Sequence, residues 1–346
     1  MTARQPRMLV AALVSLLLVL TACGGGGEDD AGGDTGGGDK AKGGGEAQRI
    51  AAVFSGSTTD ADYNSLRLLA LQQAEKDGAE ITFSESVAVP DVERVIQEYL
   101  AEDYDVIWTH GSQFFEATAK LAGENPDVTF IGEFDGKPEN QGENVWVVDR
   151  NFHVGFYAIG VLVSKLSKTG NVGYVGGLSL PFSYSEVHAM EQAIKDTGAS
   201  TKIQPVWTGD FNDPAKAQQI STQLINRGAD VIVGSLNLGA VGTFQAAKKK
   251  PAGEAWVTAK YTDKSQFGAE HYAGSVIYDF KKPLTDVLTK ISDGEKTGYY
   301  PIGFETGVDI QVADAVPADA KTAVEETVTK IKDGSVKVER DVSKIG

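Results

Sequence analysis

Asn171-Val172-Gly173-Tyr174-Val175-Gly176-Gly177 is a short apolar run closed by two glycines. Such a run reads as a buried strand feeding a turn. A helical pattern over residues 156–166 precedes it, and another over 185–197 follows. The rhythm then continues with a strand at 201–207, a helix at 214–227, a strand at 230–234, a helix at 242–249 and a strand at 255–258. On the N-terminal side the same alternation holds. Arg49-Ile50-Ala51-Ala52-Val53-Phe54 is a buried strand ending in Ser55-Gly56-Ser57. Leu66, Leu69, Ala70 and Ala74 mark an amphipathic helix that ends near Gly78. Strands at 81–83, 104–108, 128–131 and 145–148 alternate with helices at 92–100 and 115–122. This order predicts two α/β units, each a mostly parallel sheet with helices on both faces. A further strand, Ser275-Val276-Ile277, begins a return of the chain between them. In open parallel sheets ligands sit beyond the carboxyl ends of the strands. The loops to inspect are therefore 55–64, 109–115, 176–184, 235–239 and 260–264, most of them rich in Gly, Ser, Thr and Asn.

The amino end carries a different message. Arg4 and Arg7 precede an apolar run over residues 8–20. That run is too short for a mature transmembrane helix and right for the apolar core of a signal peptide. Leu20-Thr21-Ala22-Cys23 closes it with the chain's single cysteine. The stretch resembles a bacterial lipobox, which implies cleavage before Cys23 and acylation of its thiol. An ordinary secretory signal with an incidental Cys is the alternative; either way the protein works outside the cytoplasm. Residues 24–47 are nearly all Gly, Asp, Glu, Lys and Ala and lack the apolar content to order themselves. They read as a flexible tether.

The 346 residues carry 32 Lys and Arg against 48 Asp and Glu, a formal net charge of −16. This excludes nucleic acid, which needs a basic footprint. It also excludes attachment to anionic lipid through a basic patch. With one cysteine, stability comes from a core and not from disulfides. The four histidines lack metal-ligand spacing, so neither a metal nor a cofactor is expected. Gly111-Ser112 and Gly234-Ser235 do not make a Gly-x-Ser-x-Gly nucleophile elbow, and no phosphate-binding Gly-x-x-x-x-Gly-Lys motif is present. An enzyme is not expected.

Several motifs together point to a family. Gly170 to Gly177 resembles the TGKVGFVGG signature of the basic membrane proteins. Gly209-Asp210-Phe211-Asn212-Asp213-Pro214-Ala215-Lys216 is similar to their GSFNDPAK, and Arg227-Gly228-Ala229-Asp230-Val231-Ile232 to their QGADVI. Asn125-Pro126-Asp127-Val128 and Asp62-Tyr63-Asn64 match further positions. The resemblance runs from Ile50 to the C-terminus. It implies a two-lobe periplasmic-binding-protein fold, type I-like, with parallel sheets and a hinge. It also implies a substrate-binding lipoprotein of an ABC importer, working as a monomer with permease subunits. Several members bind purine bases or nucleosides. The expected organisation is a signal over residues 1–22, a tether over 23–47, a first lobe over 48–150 with part of 276–310, and a second lobe over 151–275 with part of 311–346. A lipid-anchored sensor that signals to a membrane partner would use the same closure and stays open as an alternative.

The resemblance also proposes contacts. Tyr63 would stack on the ligand and Asn64 meet its edge; helix capping and a core aromatic are the plain alternative. Asp279 stands where nucleoside-binding members tend to carry a Lys, and accepts either an amine of the ligand or a hinge partner. His153 stands where the family often has a ribose-binding acid, which weakens a nucleoside assignment. His110 is expected at the cleft mouth. Phe182, Phe211 and Asn237 are expected in second-lobe loops facing the cleft, with Phe211 equally readable as core. Asp263 is a candidate for a ligand hydroxyl or amine, or a cap on the next turn.

Overall fold

The computed structural model describes residues 48–60 and 62–345. Cys23, the signal and all of the tether before Gln48 lie outside the described residues. The first half is built from β1 (Arg49–Phe54), α1 (Tyr63–Lys76), β2 (Glu80–Ser84), α2 (Val92–Leu100), β3 (Val106–His110), α3 (Phe115–Glu124), β4 (Thr129–Phe134) and β5 (Val145–Asp149). The second begins with α4 (His153–Leu166), β6 (Asn171–Gly176), α5 (Pro181–Asp196), β7 (Lys202–Trp207), α6 (Pro214–Asn226), β8 (Val231–Ser235), α7 (Ala240–Ala247), β9 (Trp256–Tyr261) and β10 (Tyr272–Tyr278). The chain then returns through α8 (Lys281–Ser292) and β11 (Gly298–Pro301), and ends with β12 (Val308–Val312) and α9 (Ala318–Lys332).

The strands form two six-stranded sheets, ordered β11-β5-β4-β3-β1-β2 and β12-β10-β9-β8-β6-β7. All pairings are parallel except β10 with β12. The chain passes between the sheets three times, after β5, after β10 and after β11. Strand alternation divides each core. In β1, Ala51 and Val53 face α2 and α3, while Ile50, Ala52 and Phe54 face α1. The helix α4 is apolar nearly all round and lies buried against α5, α9 and β10.

Helices α1, α4, α5 and α7 start earlier than the sequence pattern suggests, and at α1 and α5 the bonds at the start of the helix show why. At α1 the carboxylate of Asp60 accepts from the backbone N–H of Asp62 (3.0 Å), Asn64 (2.9 Å) and Ser65 (3.0 Å), so the helix opens at Tyr63. At α5, Pro181 supplies a pre-set φ and the Ser183 hydroxyl accepts from the N–H of Leu180 at 3.0 Å. Phe182 thus sits in the first turn of a helix, not in the loop expected at 176–184. The strand β9 also runs on to Tyr261, which places Lys260 in the sheet.

Helices α6 and α7 approach so closely that glycine is required between them. A Cβ on Gly242 would lie 2.0 Å from the carbonyl oxygen of Pro214 and 2.7 Å from the nitrogen of Gln218. Backbone atoms cannot swing aside as a side chain can, so Gly242→Ala is expected to cost about 1–3 kcal/mol by overpacking. Gly123, in α3, has nothing within 4 Å of a built Cβ. Gly123→Ala is expected to be neutral or to stabilise by about 0.5–1 kcal/mol through helix propensity. Urea titrations of both variants test this; equal midpoints would refute the close-packing argument.

Candidate functional site

Where the two halves meet, the first presents a buried carboxylate, Glu133, on the otherwise apolar strand β4. Three side chains converge on it. Arg67 Nη2 lies 2.7 Å from Oε1, His110 Nδ1 lies 2.8 Å from the same oxygen, and Tyr63 Oη donates to Oε2 at 2.8 Å. Tyr63 and Arg67 are one turn apart on α1 and so share a face. Burial alone would raise the Glu133 carboxyl; Arg67, His110 and Arg150 outweigh it and hold the group down at about 2. Burial lowers His110 despite its carboxylate partner, so its ring is neutral. An ionised carboxylate only accepts, hence Nδ1 carries the proton and Nε2 the lone pair. That Nε2 is buried and has no partner among the described residues.

Arg150 leaves the end of β5 and stands between the halves. Its guanidinium forks onto Asp135, with Nε 2.9 Å from Oδ1 and Nη2 in close contact with Oδ2. It also donates to Tyr63 Oη at 3.2 Å and to Ser112 Oγ at 3.0 Å. Its other face looks at two rings of the second half, with Cζ 5.0 Å from the centre of Phe152 and 4.9 Å from that of Phe182. Burial disfavours the charge, but Asp135 and Tyr63 reverse this and raise the group well above its ordinary value.

The second half answers with Lys260. Its ammonium lies 3.6 Å from the centre of the Phe152 ring, 4.9 Å from Tyr261 and 5.1 Å from Phe182, a cation–π cage. Glu186 accepts from it at 2.6 Å and from Tyr174 Oη at 2.7 Å. Burial pulls Lys260 down to about 8, with Glu186 opposing. Phe182 stacks on Phe211 with ring centres 6.1 Å apart and planes 21° off parallel. The backbone of Phe211 is held by N–H donors from Asn237 (3.1 Å) and Gly239 (3.0 Å). Gly177 makes room for the Phe211 ring, since a Cβ there would lie 2.1 Å from it. At the head of α1, Asp62 accepts from Lys264 Nζ at 2.5 Å and from Thr262 Oγ1 at 3.2 Å. Burial raises the Asp62 carboxyl to about 6, with Lys264 holding it back. The four buried cations Arg67, Arg150, Lys260 and Lys264 are therefore matched by Glu133, Asp135, Glu186 and Asp62.

The residues singled out from the sequence fall into separate places. Tyr63 and His110 touch, ring centres 4.0 Å apart, and Arg150 links Tyr63 to the Phe182–Phe211 stack, with Asn237 behind it. Asn64 is buried, but its amide donates to Asp60 at 2.8 Å; its Oδ1 has no partner among the described residues. His153 does not join this group. It starts α4, buried near Arg340 and Asp149, and burial with Arg340 lowers it to about 4. Asp263 and Asp279 are exposed. Asp263 accepts from Ser265 N at 2.7 Å and Gln311 Nε2 at 2.6 Å, and Asp279 from Lys281 N at 2.9 Å. Both edge a side groove of about 320 Å³ shared with Leu66, Tyr261 and Phe280. Sequence reasoning overlooked Arg67, Glu133, Arg150, Glu186 and Lys260. The signal was present for two of them: Glu133 and Lys260 are lone charges in apolar strands, and a charge buried in a parallel sheet needs a partner.

Comparison with known proteins agrees with this architecture. The family model described as "ABC transporter substrate-binding protein PnrA-like" matches residues 47–340. A purine-binding protein of Brucella abortus (strain 2308) is 26% identical over 272 residues, covering 77% of this chain and 75% of the relative. The ABC transporter nucleoside-binding protein BmpA of Lactococcus lactis subsp. cremoris (strain MG1363) is 24% identical over 280 residues, 76% and 79% of the two chains. Among solved structures, an ABC transporter solute-binding protein of Conexibacter woesei DSM 14684 superposes with a TM-score of 0.68 at 23% identity, covering 85% of this chain and 99% of that one. The two-sheet fold is thus of the periplasmic-binding-protein kind.

The depressed carboxyl of Glu133 makes a pH-dependent contribution. Its folded value of about 2 lies below the ordinary 4.5, so the stabilisation is present above about 4.5 and is lost as pH falls towards 2. Glu133→Gln leaves Arg67 buried without its counter-charge and is expected to cost about 3–5 kcal/mol at pH 7. The gap between variant and parent should narrow as pH falls from 5 to 2, because the parent's own carboxylate is then neutralised. A gap that stays constant across thermal melts in that range would show that Glu133 is not held ionised by its neighbours.

Proposed function

The chain belongs to the PnrA-like family of ABC transporter substrate-binding proteins, and on that basis we propose that it carries a neutral, planar, hydrogen-bonding solute, a purine base or nucleoside, in the cleft between its halves. The family serves ABC transporters by binding small solutes and working with permease components; it does no chemistry on them. The observation that carries the reading is the cleft wall itself. Tyr63 from one half and the Phe182–Phe211 stack from the other are joined through Arg150, in a setting whose charges already cancel. Flat rings recognise flat rings, by stacking worth about 1–3 kcal/mol per base. A net-charged solute would meet no unmatched partner there and would forfeit its hydration. The purine- and nucleoside-binding relatives support the same ligand class.

Binding proceeds by closure: a solute touching both halves favours the state in which they meet. The first lobe consists of β1 to β5 with α8 and β11, the second of β6 to β10 with β12 and α9, and the three crossings form the hinge. The protein acts as a monomer, held by a lipid on Cys23 at the outer face of the membrane, with the Gly-rich segment as its tether.

Calorimetry with adenine, hypoxanthine, adenosine and inosine tests the ligand class. Tyr63→Ala and Phe211→Ala are each expected to weaken binding of the preferred compound by about 1–3 kcal/mol, and a phosphorylated analogue should bind less well than its parent nucleoside. Absence of binding for all four compounds, or affinities untouched by both substitutions, would overturn the assignment. Cys23→Ser is expected to move the protein from the membrane fraction to the medium or the periplasm; retention in the membrane would rule out the anchor.

A further inference from the structure

We propose that Asp62 and Lys264 are positioning residues for closure: a charge match across the cleft that admits one register of the two halves and penalises others. The inference goes beyond the ligand assignment and does not depend on which solute is carried.

The local structure of α1 is the first argument. An Asp directly before a helix ordinarily turns its carboxylate back onto the first free N–H groups. Here Asp60 occupies those donors, and Asp62 makes no capping bond to its own helix. Its carboxylate is released to point out of the first half. The second argument comes from the opposite side. β9 ends at Tyr261 with φ at +76°, in the left-handed region that a bulky aromatic rarely adopts. Such a backbone is strained and persists where its surroundings fix it. It sits at the point where the chain leaves the sheet, and the next residues, Thr262 and Lys264, are the two that reach Asp62.

Of the four ion pairs at the cleft, three are closed within one half: Arg67 with Glu133 and Arg150 with Asp135 in the first, Lys260 with Glu186 in the second. Asp62 with Lys264 is the one whose members lie on different halves, 202 residues apart. Both side chains are almost fully buried, at 1% and 4% exposure. Opening the cleft returns both to water, and closing it requires both to be desolvated together. Burial of such a pair adds little net stability, whereas burying either member alone is strongly unfavourable. The charged and polar groups around Asp62 are Asp60 from its own loop and Lys264 and Thr262 from across the cleft. The pair therefore acts on which closed state forms rather than on how tightly the halves adhere.

Hydrogen–deuterium exchange of the full chain in detergent, without ligand, tests this. The readout is the backbone amides of residues 133–136 and 182–186, which carry or neighbour the groups where the halves meet and contain neither substitution. Asp62→Ala and Lys264→Ala should each raise exchange there about tenfold. The double variant Asp62→Leu with Lys264→Met removes both charges at similar volume and should return exchange to within about twofold of the parent. Exchange at 50–53 and 231–234, deep in the two sheets, should stay unchanged in all three and reports an intact fold. Single variants that exchange like the parent would overturn the proposal. So would a double variant as open as the singles combined, which would mean that adhesion and not charge matching holds the halves.

Discussion

A charge taken out of water has to meet its opposite, and the meeting face of the two halves is assembled around that requirement. Four ion pairs meet there; seven of their eight side chains are buried and Asp135 is half-buried, and a buried charge left alone would cost several kcal/mol. Their pairing dictates what else is possible. Glu133 fixes Arg67, His110 and Tyr63 in one constellation, and this orients the Tyr63 ring. Arg150 uses one edge for Asp135 and presents its face to Phe152 and Phe182. Lys260 is bound by Glu186 and enclosed by rings. The aromatic walls owe their placement to these pairs as much as to packing.

This cancellation is what makes the proposed uncharged solute compatible with a strongly acidic chain. The four pairs sum to zero, so they contribute nothing to the chain's net charge of −16. Polarity survives there as directional groups buried without a hydrogen-bond partner among the described residues: the lone pair on His110 Nε2, the carbonyl of Asn64 and the Nε–H of Arg67. The first two accept and the third donates, so a solute with both donors and acceptors at its edge would match them. For the solute proposed above, stacking would supply affinity and such groups discrimination, because a buried polar group left unmatched costs about 1–3 kcal/mol.

The architecture was legible in the sequence because its signals are local. Apolar runs closed by glycine gave β1 and β6, and α2 falls on the residues expected, 92–100. Elements whose limits depend on capping were misjudged: Asp60 extends α1 and Ser183 extends α5, and neither bond shows in hydrophobic periodicity. Of the residues singled out from the sequence, Tyr63, His110, Phe182 and Phe211 lie where the two halves meet, although Tyr63 and Phe182 stand in the first turns of helices and not in loops. The ion pairs were not legible, because partners such as Lys260 and Glu186 are 74 residues apart and only the folded sheet brings them together. His153 stands apart from this group. Its place in the chain suggested a contact, yet the C-terminal segment covers it, with Arg340 donating to Asp149 at 2.6 Å nearby.

The back of the cleft is built on a different logic from the front. The third crossing is stitched to both others: Asn151 Nδ2 donates to the carbonyl of Ile302 at 2.9 Å, and Asp279 N to that of Gly307 at 2.9 Å. Gly307 has φ at +122° and no room for a Cβ, which would lie 2.5 Å from the Asp279 carbonyl oxygen. The Asp149 carboxylate adds a hub, accepting from Gly136 N, Asn151 N, Tyr299 Oη and Arg340 Nη2. These bonds run among neighbouring crossings and need not break when the halves part. The contacts that must break are at the front, where the Asp62–Lys264 pair and the Arg150–Phe182 face join different halves. If the halves close as proposed, rotation would be taken up in the few backbone torsions between the stitches, where Asn151 stands at φ +49°. A firm pivot would then make the front meet in a reproducible register, which the proposed charge match of Asp62 and Lys264 requires.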